Sequence, residues 1–194
     1  MPCSGILLAA GRGRRFDPTG LHNKLLQRLP DGERVVLRAA SHLRQILPDT
    51  LVVVHPDAHH LIALLQQAGL ATLLCPDAAA GMGHSLAHAV RASAGAYGWI
   101  IALADMPHVS PATIARLDAA ICAGADIAVP VHQGRRGNPV GFSWRHRAGL
   151  LALTGDQGAR RLLRSGAVTQ VPVDDRGILL DIDTPADLSL PVAP

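Results

Sequence analysis

The chain has 194 residues, of which 48% are hydrophobic and 17% charged, with a formal net charge of +3. That balance excludes a disordered chain, and no apolar run approaches the roughly 20 residues of a membrane span. Aromatic residues make up only 3%, too few for the stacking platforms of a nucleic-acid binder, so the modest positive charge suits a small anionic ligand.

Residues 6–10 form a near-continuous apolar run, the pattern of a strand covered on both faces in a parallel sheet. The loop after it, Gly11-Arg12-Gly13-Arg14-Arg15, leaves at the carboxyl edge of that sheet, where open α/β proteins bind their ligands. Gly11 and Gly13 are expected to turn the chain and align backbone N–H groups, while Arg12, Arg14, Arg15 and the later Lys24 add cations. Together they predict a cradle for polyphosphate. The loop is not a P-loop, because Lys24 neither follows a Gly nor precedes Ser or Thr. Nor is it a dinucleotide fingerprint, because Phe16 stands where Gly or Ala is needed.

Further strands are predicted at 51–55, 70–75, 99–104 and 127–131, separated by amphipathic helices at 35–47, 58–68, 85–93 and 112–123. This alternation predicts βαβ units and a mostly parallel sheet. Gly81-Met82-Gly83-His84-Ser85 leads into the third helix and offers free N–H groups and a hydroxyl at its start. Ser110 before Pro111, and Thr184 before Pro185 with Asp187 beyond it, are helix-start signals. After residue 131 the pattern loses its regularity: 133–138 reads as a polar, glycine-rich loop, and 132–144 is the candidate for an inserted substrate subregion. No linker divides the chain, so one domain over 1–194 is expected, long enough to bury roughly 70% of the unfolded surface. The short N-terminal apolar run is followed, not preceded, by arginines. That is the wrong order for a secretory signal, so the expected location is the cytoplasm.

Asp105 ends the apolar run 99–104. A carboxylate at the end of a buried strand can hold a hard cation, and Mg²⁺ is the expected ion. Asp181 and Asp183 flank Ile182 just before a capped helix, and only one of them is expected to share a site with Asp105. Cys3, Cys75 and Cys122 are widely spaced and are read as reduced thiols, Cys75 and Cys122 as small core residues. His84 and His88 stand four apart on a helix, a spacing taken as coincidental for want of a third ligand. His59 and His60 are read as a solvated pair, and His55, His108 and His132 carry no assigned role.

Leu8-Ala9-Ala10-Gly11, then Arg14-Arg15-Phe16, then Asn23-Lys24-Leu25-Leu26 resemble the signature of MobA-like nucleotidyltransferases, the family that includes the molybdenum cofactor cytidylyltransferases of MocA type. Four further segments fall in the family's order: Gly81-Met82-Gly83-His84-Ser85-Leu86, Leu103-Ala104-Asp105-Met106-Pro107, Gly137-Asn138-Pro139-Val140-Gly141-Phe142, and residues 181–188. The resemblance spans nearly the whole chain. It implies an α/β, three-layer, Rossmann-like nucleotidyltransferase fold with a mostly parallel mixed sheet. It implies transfer of a nucleotide to a phosphate, with pyrophosphate released. Nucleotide contacts are then implied for Leu8, Ala9, Ala10, Gly11, Arg12, Gly13, Arg14, Lys24, Gly81, Met82 and Ser85. The same resemblance implies Lys24, Arg15 and Asp105 as catalytic residues, Asp105 and Asp183 as metal ligands, and Arg136, Gly137, Asn138 and Pro139 as acceptor contacts. Ala10, where guanylyl-transferring relatives usually carry Gly, and Gly81-Met82-Gly83 side with the cytidylyl branch. CTP and molybdenum-bound molybdopterin are the implied substrates, with a molybdenum hydroxylase or its maturation factor as the implied partner; guanylyl transfer from GTP, a sugar phosphate acceptor, or a noncatalytic cofactor carrier for such a hydroxylase are the alternatives. This chain departs from the family pattern at His84, usually Ser, at Asn138, often His, and in a longer loop over 17–22.

Overall fold

Alternation along the strands divides the core into two halves. In β1 (Ser4–Leu8) the side chains of Ile6 and Leu7 are both fully buried, but successive residues of a strand point to opposite faces, so Leu7 packs in one apolar cluster and Ile6 in the other. The same division runs through β4 (Gly98–Leu103), where Ile100 and Ala102 join Leu7 while Trp99 and Ile101 join Ile6. A sheet buried on both faces in this way requires a layer of helices on each side. The computed structural model of the protein describes residues 3–189 apart from 12, 14, 20 and 21.

One layer consists of α1 (Val35–Ile46), α2 (His59–Gln67) and α4 (Pro111–Cys122), whose buried apolar residues belong to the Leu7 cluster. The other consists of α3 (Met82–Ala92), α5 (Arg147–Leu151) and α6 (Arg160–Ser165), which pack on the Ile6 side. Each fully buried Leu, Ile or Val contributes about 1.5–3 kcal/mol. Leu43, Leu65, Leu86, Ile114 and Leu117, at 2% exposure or less, therefore fix the helices to the sheet far more strongly than helix propensity does. Ser110 caps α4 by accepting from the Ala112 N–H at 3.2 Å, with Pro111 in the first turn, as its sequence signal predicts. The expected helix at 85–93 begins three residues earlier, at Met82.

The sheet has eight strands. Along one path the order is β3 (Ala71–Leu74), β2 (Thr50–Val54), β1, β4, β7 (Val140–Ser143), β5 (Ile127–His132) and β6 (Arg135–Arg136), with β8 (Val168–Pro172) paired to the other edge of β5. Strands β1 to β4 are mutually parallel, β7 runs against both β4 and β5, and β8 is parallel to β5. This is the mixed, mostly parallel, three-layer Rossmann-like arrangement. The expected loop at 133–138 is in part a strand: β6 pairs with β5 across a two-residue turn, and β8 had no predicted counterpart. Because β4 and β5 are parallel, β1, β4, β5 and β8 all end on the same edge of the sheet.

Cys3 and Cys75 are buried, but Cys122 is exposed at the last turn of α4, which corrects its reading as a core residue. The fold brings Cys3 and Cys122 together around Asp118, whose carboxylate accepts the Cys3 backbone N–H at 2.9 Å. Burial first, and then the neighbouring carboxylate, push the Cys3 thiol well above its ordinary value, so it persists as a thiol. Among the described residues, no helix is long and apolar enough to cross a membrane.

Candidate functional site

The chain leaves β1 at Leu8 and passes β2 and β4 before turning away. Ala9 donates its N–H to Val53 and Ala104 donates to Leu8, extending the pairing past the named strand ends. Gly13 takes φ +59°, the left-handed region that Gly enters at little cost, and a Cβ there would lie 3.4 Å from Lys24 Cγ. Gly11 has no such backbone demand and faces open space; the turn belongs to Gly13. The predicted contacts Arg12 and Arg14 lie outside the described residues. Asp17 orders the following loop by accepting from Thr19 N at 2.8 Å, Thr19 Oγ1 at 2.6 Å and His22 N at 2.7 Å, bonds that hold its carboxyl below its ordinary range.

Asn23 explains how the motif presents Lys24. Its side chain accepts the Leu25 N–H at 2.9 Å and caps the one-turn 3-10 segment Lys24–Leu26, so Lys24 projects from a fixed turn. Lys24 is 9% exposed, and its ammonium donates to Asp105 Oδ2 at 2.6 Å and to Asp183 Oδ1 at 3.1 Å. Burial by itself opposes the charge, but the bonds and attraction of the two carboxylates outweigh it and raise the Lys24 pKa. Arg15, largely in solvent, reaches Asp183 Oδ2 at 2.6 Å. The three expected catalytic residues therefore meet at one point with the second expected metal carboxylate.

Asp105 stands two residues after the end of β4, and its backbone carbonyl accepts the Ile182 N–H at 2.8 Å, which locks the 181–184 segment against the end of β4. Ile182 is fully buried. Residues two apart in extended chain project to the same side, so the carboxylates flanking Ile182 both turn outward. The expectation that only one of them shares the site is corrected accordingly. The Asp181 carboxyl is raised above its ordinary range, by burial first and then by the neighbouring Asp183 and Asp105. Asp187 fixes the same turn by accepting from Asp183 N at 3.0 Å and Thr184 N at 2.6 Å.

Beside these charges lies a cavity of about 430 Å³. Leu8, Ala9, Ala10 and Gly11 form one wall, and Gly81, Met82 and Ser85 at the start of α3 form the facing wall, with Lys24 and Asp105 at the end. Every described residue expected to touch nucleotide lines this cavity except Gly13, which lies over the Lys24 stem. The start of α3 is crossed by the 154–156 loop: a Cβ on Gly81, where φ is +120°, would lie 2.6 Å from Asp156 Oδ1, and one on Gly83 would lie 2.8 Å from the Thr154 backbone. His84 secures that loop, its Nδ1 accepting the Gly155 N–H at 3.2 Å, so this ring has a bracing role where the family usually has Ser. Asp156 lines the cavity but carries no signal in the sequence, because the crossing of two distant loops brings it there.

The expected acceptor segment is mostly engaged internally. Gly137 donates to Pro130 and Asn138 to Ile178, each at 3.0 Å, Pro139 is buried, and the Asn138–Pro139 bond is cis. Arg136 is exposed and pairs across from Val131.

Comparison with known proteins bears on this geometry. The model of the MobA-like NTP transferase domain matches residues 5–171. The chain is 33% identical over 200 residues to the purine catabolism protein PucB of Bacillus subtilis, covering 96% of this chain and 94% of that protein. A manganese complex of Rv0371c from Mycobacterium tuberculosis superposes with a TM-score of 0.77 at 27% identity over 96% of each chain. Molybdopterin-guanine dinucleotide biosynthesis protein A of Archaeoglobus fulgidus, at 20% identity over 95% of this chain and 94% of that one, shares the fold with a TM-score of 0.69. A match over most of the sequence thus coincides with a cleft where the signature lysine meets two carboxylates, and the chain belongs to the MobA-like NTP transferase family, as a nucleotidyltransferase.

Proposed function

We propose that this nucleotidyltransferase transfers CMP from CTP to the phosphate of molybdenum-bound molybdopterin, forming the cytosine dinucleotide cofactor and releasing pyrophosphate. The observation that carries the catalytic half is the junction of Lys24 with Asp105 and Asp183, at 2.6 and 3.1 Å, at the end of the cavity between the β1 loop and the start of α3. The choice of CTP rests on Ala10 and on Gly81-Met82-Gly83, both part of that cavity's lining or frame.

In the reaction an acceptor phosphate oxygen forms a bond to the α-phosphorus. The bond from that phosphorus to its bridging oxygen breaks, and the electron pair leaves with pyrophosphate. A phosphate nucleophile is already ionised near neutral pH, so no side chain must remove a proton. The chain's work is positioning and charge stabilisation. The backbone of 8–11 lies along the nucleotide, and Ser85 with the first N–H groups of α3 faces it from the other wall. Lys24 and Arg15 set positive charge against the phosphates. Asp105 and Asp183, with Asp181 beside them, form a hard oxygen donor set suited to Mg²⁺, which when bound would offset charge on the triphosphate. A single domain over 1–194 and a cytoplasmic setting complete the reading, and the relative named for purine catabolism favours a molybdenum hydroxylase as the recipient.

The test is pyrophosphate release from CTP, GTP, ATP and UTP in turn, with Mg²⁺ and molybdenum cofactor present. Release from CTP alone is expected. Release from another nucleotide would replace the donor, and release that needs a different phosphorylated acceptor would replace the acceptor. Binding without release under any pairing would point to a carrier of nucleotide or cofactor.

A further inference from the structure

At the end of β5, the same sheet edge holds a second pocket of about 430 Å³, framed by His132, Gln133, Arg135, Arg176, Leu179 and Leu180. We infer that Arg135 and Arg176, with His132, form an anion site that seats the phosphate of the acceptor. The inference deepens the function proposed above and rests on the acceptor being phosphorylated.

The pocket is built by backbone devices and not by chance surface charge. β5 and β6 are joined by Gln133 and Gly134, at φ +49° and +78°, the left-handed pair of a two-residue hairpin turn. The register it sets places His132 directly across from Arg135, and directly opposed residues share one face of the sheet. Arg136 then belongs to the other face, which is why the pocket takes its neighbour instead. The His132 Nδ1 lies 3.2 Å from the Val173 carbonyl. A carbonyl can only accept, so Nδ1 carries the hydrogen and Nε2 remains for another partner.

Arg176 stands on the short 3-10 segment Arg176–Leu179, and that segment is held in two ways. Asp175 accepts from Gly177 N at 2.9 Å, Ser110 N at 2.9 Å and Thr113 Oγ1 at 2.6 Å, tying the turn to the start of α4. Gly177 lies against the His108 carbonyl and Gly137 against the Ile178 carbonyl so closely that neither position has room for a Cβ. The two arginine-bearing segments are thus seated on each other and on the core. Among the described residues, no carboxylate lies within ion-pair distance of Arg135 or Arg176, and two uncompensated guanidiniums in one pocket match the bidentate geometry of a phosphate.

Position supplies the second part of the inference. Leu180 frames this pocket and Asp181 follows it in the chain, while Asp105 lines the nucleotide cavity. The 180–183 segment therefore runs from this pocket to the end of β4, where Asp183 meets Lys24. In-line displacement needs the attacking oxygen and the leaving pyrophosphate on opposite sides of the reacting phosphorus, and a donor in one pocket with an acceptor in the other satisfies that requirement.

Two measurements test the site. The first is binding of inorganic phosphate, followed by ³¹P NMR, to the wild type, Arg135→Ala, Arg176→Ala, Arg176→Lys and the exposed control Arg116→Ala. We expect binding to weaken about tenfold in each alanine variant, less in Arg176→Lys, and not at all in Arg116→Ala. Equal binding across the set, or none in the wild type at tens of millimolar, would overturn the inference. The second measurement separates two sources of the same chemistry, the acceptor phosphate and the triphosphate tail. With molybdenum cofactor as acceptor, its KM should rise about tenfold in Arg135→Ala and Arg176→Ala while the KM for CTP stays within about twofold. A rise confined to the CTP KM would overturn the acceptor assignment. The circular dichroism spectrum of each variant, compared with wild type, shows whether it is folded. If phosphate binding follows the arginines but molybdopterin is no substrate, the anion site stands and the acceptor of the proposed function falls. If molybdopterin turns over with unchanged KM in both variants, the function stands and this site falls.

Discussion

The walls of the pocket at the end of β1 are made largely of main chain and small residues, Ala9, Ala10 and Gly11 facing Gly81, whereas the wall of the pocket at the end of β5 presents guanidiniums from Arg135 and Arg176. The first kind reads shape: peptide groups held by β1 and α3 offer fixed dipoles, and the space between them decides what fits. The second kind reads charge, through long side chains whose bases, not their tips, are held. Lys24 and Asp105 line the first pocket, and Lys24 meets Asp183 there. The difference teaches that adding atoms should damage the first wall and removing charge should damage the second.

The largest effects should come from the centre. Asp105→Asn should lower the rate of pyrophosphate release by about 10²–10³ while nucleotide binding by calorimetry persists. If turnover survives, Asp105 is not a reacting-site residue. Lys24→Met should lower turnover by a similar order, and it also leaves Asp105 without its cation and Asp183 with Arg15 alone. That variant should therefore lose stability as well as rate, read as a lower midpoint in urea. Lys24 is the only lysine of the chain, so ¹³C methylation followed by NMR reports its ammonium directly. Because its pKa is raised in the fold, its stabilisation is present below the ordinary lysine value and is lost as pH climbs through the folded one, far above neutrality.

On the main-chain wall, Gly83→Ala should raise the nucleotide KM about tenfold and cost about 1–3 kcal/mol of stability, because the new carbon meets the Thr154 backbone. The acceptor KM should not follow. On the charged wall, salt is the sharper tool: exposed guanidiniums are screened more than buried Lys24, so the acceptor KM should rise severalfold more than the nucleotide KM between roughly 0.05 and 0.5 M KCl. Parallel rises would dissolve the distinction between the walls. The smallest effect lies beneath the second wall, at His108, whose Nε2 is buried without a partner among the described residues. Burial first, and then the positive charge of Arg38, lower its pKa. Its neutral form is the one the fold favours, so stability present above the ordinary histidine value should fall as pH drops through it, by less than about 1 kcal/mol after solvent screening. His108→Leu should flatten that slope in urea melts between pH 7 and 5.

What the sequence determined by itself was local. Apolar runs, caps and glycines act through neighbours in the chain, so β1, the four helices of the first two thirds and Asp105 at a strand end were all legible before any fold was known. Asp183 was singled out only by the family resemblance, and its partner Asp181 was misjudged, since the buried Ile182 between them turns both outward. The tertiary structure alone decided what depends on distant segments meeting: Asp156 reaching the nucleotide wall over the start of α3, Arg176 carried to Arg135 by a turn stapled through Asp175, and β8 completing the sheet beside β5. None of these has a periodicity to read, because each is set by the packing of chain segments far apart in sequence.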